Sequence, residues 1–416
     1  MAEVESDFDA PPGFKAITLA GIGMVARMLE PEDSVDWATL VAGLEPWGEV
    51  PDPKLIRVIE VNHTERGITA WLKLARQFGD IETGGDLWAE FLPWGSDGRL
   101  RARAKAAPEN WNVPSGGYSW EGSDIIIVRR VMLTGWSDDI VAGALNANDM
   151  EAAQAELRNA GRVLGHYHTR AMAARTTPPN PSKWNARNQW LEETLQATFI
   201  WRAPYSKNQP CTLSLGDVRF SDIATNPNTD VSWLTIGRPR LADALRTHTC
   251  EFPAMRDLAS LVHDLSRIHH SSRFTSLDQT PLRLALIDGW KSTAPAEWAS
   301  DEAFYSHRGG MAIWEYEQCL LDVLEATSNQ SGVPEPAVTT LAYVKAYQKR
   351  MFSNRTWGAL SIMTAFFGIA SLINTFPPAL VEIPIPIACL ALSYWLNGVY
   401  KRMSPPPERP FTYLGR

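Results

Sequence analysis

The 416-residue sequence predicts an α+β protein: a strand-rich first third, a helical remainder and a two-helix membrane hairpin at the C-terminal end. Three observations carry that reading. Runs of branched apolar residues bounded by turn residues gather before residue 134. Residues 135–345 hold long stretches with helical spacing of apolar positions. Residues 357–376, WGALSIMTAFFGIASLINTF, are uncharged and long enough to cross a bilayer as a helix.

Composition narrows the function classes. Apolar residues make up 45% of the chain, enough for a substantial core. The net charge of −8 argues against nucleic acid as a partner held by overall attraction. Seventeen Trp is a high count, and Trp serves cores, sugar faces and membrane interfaces alike. Cys211, Cys250, Cys319 and Cys389 are far apart and form no CxxC or Cys/His metal spacing. That pattern fits a reducing compartment. Residues 1–14 are acidic, lack an apolar stretch and read as a disordered tail.

The front lobe, residues 15–134, opens its strands with KLIRVIEV (54–61). Residues 63–78, HTERGITAWLKLARQF, place Ile68, Trp71, Leu72 and Leu74 at helical spacing behind a Thr64 cap. Residues 87–106 read as a hairpin, LWAEFLPW and RLRARAKA around a Gly-Ser-Asp-Gly turn. Residues 124–133, DIIIVRRVML, read as a strand, and Gly135-Trp136-Ser137 marks the lobe boundary. The back lobe, 135–345, opens on a long helix over 150–173. It contains a second hairpin, 213–237, in which Asn226-Pro227-Asn228 turns between two short strands.

The hairpin over 356–400 continues with a second run, residues 379–400, after Pro377-Pro378. Its acid, Glu382, and its prolines, Pro384 and Pro386, make its first residues interfacial. Lys345, Lys349, Arg350 and Arg355 precede the first run, and Lys401 and Arg402 follow the second. Basic residues at both outer ends put both ends, and the tail 401–416, in the cytoplasm. Trp357, Tyr394, Trp395 and Tyr400 stand where an aromatic belt belongs. The alternatives are a buried helical hairpin and a re-entrant second half.

Phosphoryl transfer asks few groups of a protein: a carboxylate for the accepting hydroxyl, an amide and a second carboxylate for metal, a lysine for the phosphates. LSLGDVRFSDIATNPNTDVSWLTIG (213–237) has that layout. It resembles the kinase-like fold, in the branch of aminoglycoside, choline and lipopolysaccharide kinases, whose loop reads His-Gly-Asp, four residues, then Asn. The resemblance puts Asp217 on the catalytic Asp and Asp222 on the metal-binding Asn. Leu215 replaces the His, and Thr235 replaces the metal-binding Asp of the returning strand. RVLGHYH (162–168), RDLASL (256–261) and LRLALIDGW (282–290) match family helices in order. Asp257 is then a brace for the catalytic loop. In the front lobe Arg57 takes the place of the family Lys, with Glu65 its partner and Lys54 and Lys105 its rivals. Gly21-Ile22-Gly23 is the one Gly-bearing candidate for a phosphate-covering loop.

The resemblance implies a two-lobed protein-kinase-like fold, with ATP and Mg²⁺ as cofactors of an active member. Loss of the His, the Lys and the metal Asp points to a pseudokinase, because a hydroxyl is no substitute for a carboxylate at Mg²⁺ and Arg is not Lys. Asp222 has two readings, metal ligand or turn former. His166/His168 and His269/His270 lack a third ligand at motif spacing and read as helix-end histidines. The expectation is a membrane-anchored scaffold or regulatory module at the cytoplasmic membrane face, with the membrane and a membrane-protein complex as partners. The alternatives are an active atypical phosphotransferase on a lipid, lipid-linked sugar or other membrane-proximal small molecule, and an unrelated membrane-tethered assembly factor.

Overall fold

The computed structural model describes residues 4–5, 10–11, 13–19, 22–27, 36–64, 67–74, 86–92, 99–108, 111–131, 135–197, 209–226, 231–237, 240–245, 250–304, 310–328, 331–374 and 383–403. The front lobe holds β1 (Val4–Glu5), β2 (Phe14–Leu19), β3 (Ile22–Arg27), α1 (Trp37–Val41), β4 (Glu45–Gly48), β5 (Ile56–Thr64), β6 (Gly67–Leu74), β7 (Asp86–Phe91), α2 (Arg99–Ala106), β8 (Gly116–Trp120) and β9 (Ser123–Arg130). The strands β4-β8-β9-β7-β6-β5 form one antiparallel sheet in that order. A smaller sheet, β1-β2-β3, carries the N-terminal segment, so residues 4–5 are paired strand where a disordered tail was expected.

Two expectations for this lobe are corrected. Residues 67–74, expected as helix, are strand β6, and residues 75–78 lie outside the described residues. The physical reason is period two: Ala70 and Leu72 are buried while Trp71 and Lys73 are exposed. Gly67, at φ 118°, takes a backbone conformation that suits glycine at the turn from β5. RLRARAKA, expected as a strand, is helix α2: its buried positions Leu100, Arg103 and Ala106 recur every three residues.

The main sheet has two distinct faces. Leu87, Ala89 and Phe91 of β7 join Ile126 and Val128 of β9 in a core closed by Trp37. The Trp37 ring meets Phe91 and Tyr118 edge-on, with centroids 6.1 and 6.0 Å apart. The alternate residues, Trp88 and Glu90 of β7 and Ile127 and Arg129 of β9, face the other way, toward the back lobe.

The back lobe holds β10 (Gly135–Trp136), α3 (Ser137–Asn146), α4 (Met150–Ala174), α5 (Pro181–Thr194), β11 (Cys211–Thr212), β12 (Ile223–Asn226), β13 (Val231–Leu234), α6 (Leu241–Leu245), β14 (Phe252–Pro253), α7 (Ala254–Ser271), α8 (Gln279–Lys291), α9 (Asp301–Phe304) and α10 (Ala312–Ser328). β10, β12 and β13 make a three-stranded sheet, and the turn between β12 and β13 lies outside the described residues. α4 and α8 cross at glycines: a Cβ at Gly161 would lie 2.3 Å from Leu286 O, and one at Gly289 2.2 Å from Arg158 O. Only a bare backbone permits that approach.

α11 (Ala337–Asn374) and α12 (Pro384–Arg402) follow. The first turns of α11 are docked in the back-lobe core through Ala337, Leu341, Val344 and Tyr347. Beyond them its apolar residues Ile362, Phe366, Phe367 and Ile373 are exposed. Among the described residues α11 is the one helix long and apolar enough to cross a membrane by length and composition, and only 11% of that stretch is buried. α12 runs antiparallel beside it: Asn354 Nδ2 donates to Met403 O at 3.0 Å, and Ser361 Oγ donates to Ser393 O at 2.8 Å. Its helix starts at Pro384, so both prolines sit in the first turn, where proline is tolerated.

Candidate functional site

The loop 213–219 is shaped by α7. Asp257, fully buried in the first turn of that helix, accepts from Ser214 Oγ (2.6 Å), Leu215 N (2.8 Å) and Gly216 N (2.9 Å). Further along the same face, Ser260 Oγ accepts from Val218 N at 3.1 Å and Asp264 from Phe220 N at 2.9 Å. Residues three and seven positions apart share a helix face, so the three acceptors form a stripe that holds the loop's amides. His168 completes the brace. Its Nδ1 accepts from Trp290 Nε1 at 2.8 Å, so its Nε2 carries the proton and donates to Asp257 at 3.1 Å. Burial alone would raise the Asp257 carboxyl, but the hydrogen bonds from His168, Ser214 and Gly216 outweigh it and hold it below its ordinary value. His168 is thus a core residue inside α4, not a helix-end histidine; His269, at the end of α7, donates to Leu277 O at 2.8 Å.

Gly216 turns the chain at φ 81°, and a Cβ there would lie 2.8 Å from Asp243 Oδ2 and 2.9 Å from Arg256 Nη1. The next residue, Asp217, is 8% exposed and its Oδ1 faces two guanidiniums: Arg219 Nε at 3.2 Å and Arg240 Nη1 at 3.4 Å. Arg240 is gripped in turn by α10, by Asp322 (2.7 Å), Glu325 (2.8 Å) and Gln318 (3.3 Å). These carboxylates outweigh the cost of burial and keep the guanidinium charged. Asp322 is itself held low, chiefly by His263, whose Nε2 lies 2.7 Å away.

Asp217, Asp222 and Thr235 line one small pocket with Leu215 and Gly237. Asp222 ends a 3₁₀ turn, Phe220–Asp222, where one carboxylate oxygen accepts from Arg219 N at 2.9 Å. Thr235 Oγ1 accepts from Asn112 Nδ2 at 3.2 Å. Beside that pocket, sharing Asp222, Thr235 and Gly237 with it, lies a cleft of about 670 Å³ between the lobes. Its walls include Trp88, Glu90, Arg129, Trp136 and Asp138. Burial raises the Asp138 carboxyl above its ordinary value.

The front-lobe residues proposed from sequence are not in that cleft. Arg57 is exposed on the edge strand β5, Lys54 and Lys105 are exposed elsewhere, and none lines the cleft. Glu65 lies outside the described residues. Ile22-Gly23 opens β3 of the small sheet, while Gly21 lies outside the described residues. The physical reason is strand order. β7 and β9, not β5, present alternate side chains to the back lobe, and they bring an ion pair, Glu90 Oε1 to Arg129 Nη2 at 2.9 Å. Arg129, 2% exposed, also donates to Asn112 O and Ile236 O, both at 3.0 Å, and Ile236 N donates to Asn112 O at 3.1 Å. The lobes are therefore pinned together at the cleft wall. Arg240, Arg129 and Glu90 were missed by sequence reasoning, having no motif spacing. Ser260 and Asp264 could have been found as the polar stripe of an apolar helix, DLASLVHD.

The donor set fits Mg²⁺ poorly. That ion demands an octahedral oxygen shell and keeps several waters. Here one carboxylate is set between guanidiniums, the other caps a turn, and Thr235 is neutral. Among the described residues no group of three or more His, Cys, Asp or Glu could hold a metal ion.

No family model and no curated protein matches the chain. Among solved structures it is similar to a glucosamine kinase in complex with glucosamine, ADP and inorganic phosphate, at 14% identity and a TM-score of 0.47, over 78% of this chain and 88% of that one. Another crystal form of glucosamine kinase matches at 14% identity and 0.46, over 76% and 87%. A Plasmodium vivax ethanolamine kinase matches at 10% identity and 0.37, over 84% of each chain. At these identities and scores the likeness assigns no substrate and no activity.

Proposed function

We propose that this chain is a membrane-anchored kinase-like protein with degenerate catalysis, a pseudokinase that acts as a scaffold or regulatory module at the cytoplasmic membrane face. The observation that carries the reading is the state of Asp217. A general base must be free to take a proton. Asp217 instead is buried and lies between Arg219 and Arg240 at 3.2 and 3.4 Å, so its carboxylate is engaged in ion pairs rather than offered to an accepting hydroxyl. Two further features support the reading. Thr235 stands where a metal carboxylate would be needed, and among the described residues no Lys lines the cleft to steady a polyphosphate. The anchor in this proposal is the pair α11 and α12, with the basic outer ends on the side of the body.

The test is Mg²⁺-dependent ATP binding to the full chain in detergent, by thermal shift and calorimetry. The expected result is no Mg²⁺-dependent binding. Saturable Mg-ATP binding that disappears in Asp222→Ala would overturn the proposal. It would favour instead an active phosphotransferase with Asp217 as base, Asp222 as metal ligand and a membrane-proximal acceptor.

A further inference from the structure

The helix pair has a charged end as well as an apolar flank. Resting on the reading of α11 and α12 as a membrane hairpin, we propose that its body-side end binds the headgroups of anionic phospholipids through Lys349, Arg355, Lys401 and Arg402. The C-terminal end of α12 meets the middle of α11 there. Asn354 Nδ2 donates to Met403 O at 3.0 Å, and a Cβ at Gly358 would lie 3.5 Å from the Tyr400 ring. That register puts residues 354–357 of α11 at the level of 401–403 of α12, with Lys349 a little over one turn further toward the body. All four cationic side chains are exposed, and among the described residues no carboxylate pairs with them. Arg402 is steadied by its Nε donating to Gly398 O at 3.2 Å.

Charge and polarity along the hairpin select a lipid over a free anion. The chain carries −8 overall, yet residues 337–402 hold Lys345, Lys349, Arg350, Arg355, Lys401 and Arg402 against one acid, Glu382, which lies between the helices. An acidic body would be repelled by an anionic leaflet, and a local basic collar is what offsets that repulsion. Immediately beyond the collar come Trp357 and Tyr400, the aromatic types that settle at the headgroup level. Beyond those come the exposed Leu360, Ile362, Phe366 and Ile373. From Thr356 to Asn374 a helix rises about 28 Å, close to the thickness of a hydrocarbon core. One site thus offers cations to a phosphate and an apolar flank to the acyl chains below it. α11 is unbroken from the back-lobe core to this collar, so headgroup contact would orient the body without a linker between them.

The experiment uses the full chain in a neutral detergent, titrated with dioctanoyl phosphatidylglycerol, dioctanoyl phosphatidylcholine and inorganic phosphate. Melting temperature and lipid retention in native mass spectra are the readouts. Phosphatidylglycerol should bind in preference to phosphatidylcholine, and inorganic phosphate should neither bind nor compete. Each exchange of a cation for Gln should weaken binding about five-fold, and Arg355→Gln/Lys401→Gln/Arg402→Gln on the order of a hundred-fold, while Lys401→Arg keeps it. These side chains are exposed, so the variants keep the fold. Equal binding of the two lipids, displacement by inorganic phosphate, or an unchanged triple variant would overturn the proposal. An alkaline wash of membranes separates the two readings. Wild-type protein released by it overturns the membrane hairpin itself, whereas retained protein without lipid preference overturns the collar alone.

Discussion

Arg129→Met tests whether the ion pair at the cleft wall holds the lobes together. The substitution keeps most of the side-chain volume and removes the guanidinium. Three acceptors lose a partner: Glu90 (2.9 Å), Asn112 O (3.0 Å) and Ile236 O (3.0 Å). Breaking a buried pair by removing one member costs about 3–5 kcal/mol, because the other charge stays behind. The Glu90 side chain is 17% exposed, so water reaches it in part and the lower half of that range applies. A loss of about 3–4 kcal/mol is a large share of the 5–15 kcal/mol that typically holds a fold. Removing both charges should restore much of it, since a pair replaced by apolar side chains is often near neutral. Arg129→Met/Glu90→Leu should therefore be more stable than Arg129→Met alone. Thermal melts of the full chain give the ranking, and hydrogen exchange over residues 231–237 gives the locality. The Ile236 amide, bonded to Asn112 O, should lose protection first. A cost below about 1 kcal/mol for Arg129→Met, or a double variant weaker than the single, would refute the pinning of the lobes.

Asp217→Asn should leave stability within about 1–2 kcal/mol of wild type, since Arg240 keeps Asp322, Glu325 and Gln318; a melt that shows unfolding would make Asp217 a structural brace. Gly216→Ala should cost about 1–3 kcal/mol, because alanine is strained at φ 81° and its Cβ meets Asp243, and a neutral melt would contradict that geometry. Asp257→Asn should destabilise by about 3 kcal/mol and flatten the acid limb. The Asp257 carboxyl lies below its ordinary 3.8, so the folded state binds this proton less readily than the unfolded one. Its contribution is then whole above about pH 4 and is lost as pH falls through the depressed value. Denaturation as a function of pH checks this, and equal acid slopes for wild type and variant would count against it.

The parts of the fold legible in the sequence are those whose signal is local. Residues 123–130 are a run of branched apolar residues, and α4 repeats its buried positions every three to four residues over twenty-five. Ile223–Asn226 and Val231–Leu234 flank an Asn-Pro-Asn turn, a chemistry written in adjacent residues. Short segments failed for the converse reason. In GITAWLKL eight residues satisfy both a period of two and a period near four, and the tie is broken by β5 and β7 on either side. RLRARAKA alternates perfectly as letters, yet Arg103, 3% exposed, is buried on the same helix face as Leu100 and Ala106.

The same division explains the site. The loop's path was readable because Gly216, Asp217 and Asp222 are close in sequence and α7 carries the acceptors that shape it. The state of its carboxylate was not, because Arg240 arrives from 23 residues downstream and is aimed by α10, more than seventy residues further on. The cleft's charges come likewise from two strands that are neighbours in the sheet but far apart in sequence, β7 and β9. A motif specifies where a carboxylate sits. Whether it can take a proton depends on the cations around it, and those are chosen by tertiary structure. Neutralisation at Arg240, as Arg240→Met, isolates that dependence: with that guanidinium gone, Asp217 would keep Arg219, and Asp322 would keep His263. If the arginines are what disable Asp217, any gain of phosphotransfer must appear first in an Arg240 variant and not in one at Thr235 alone.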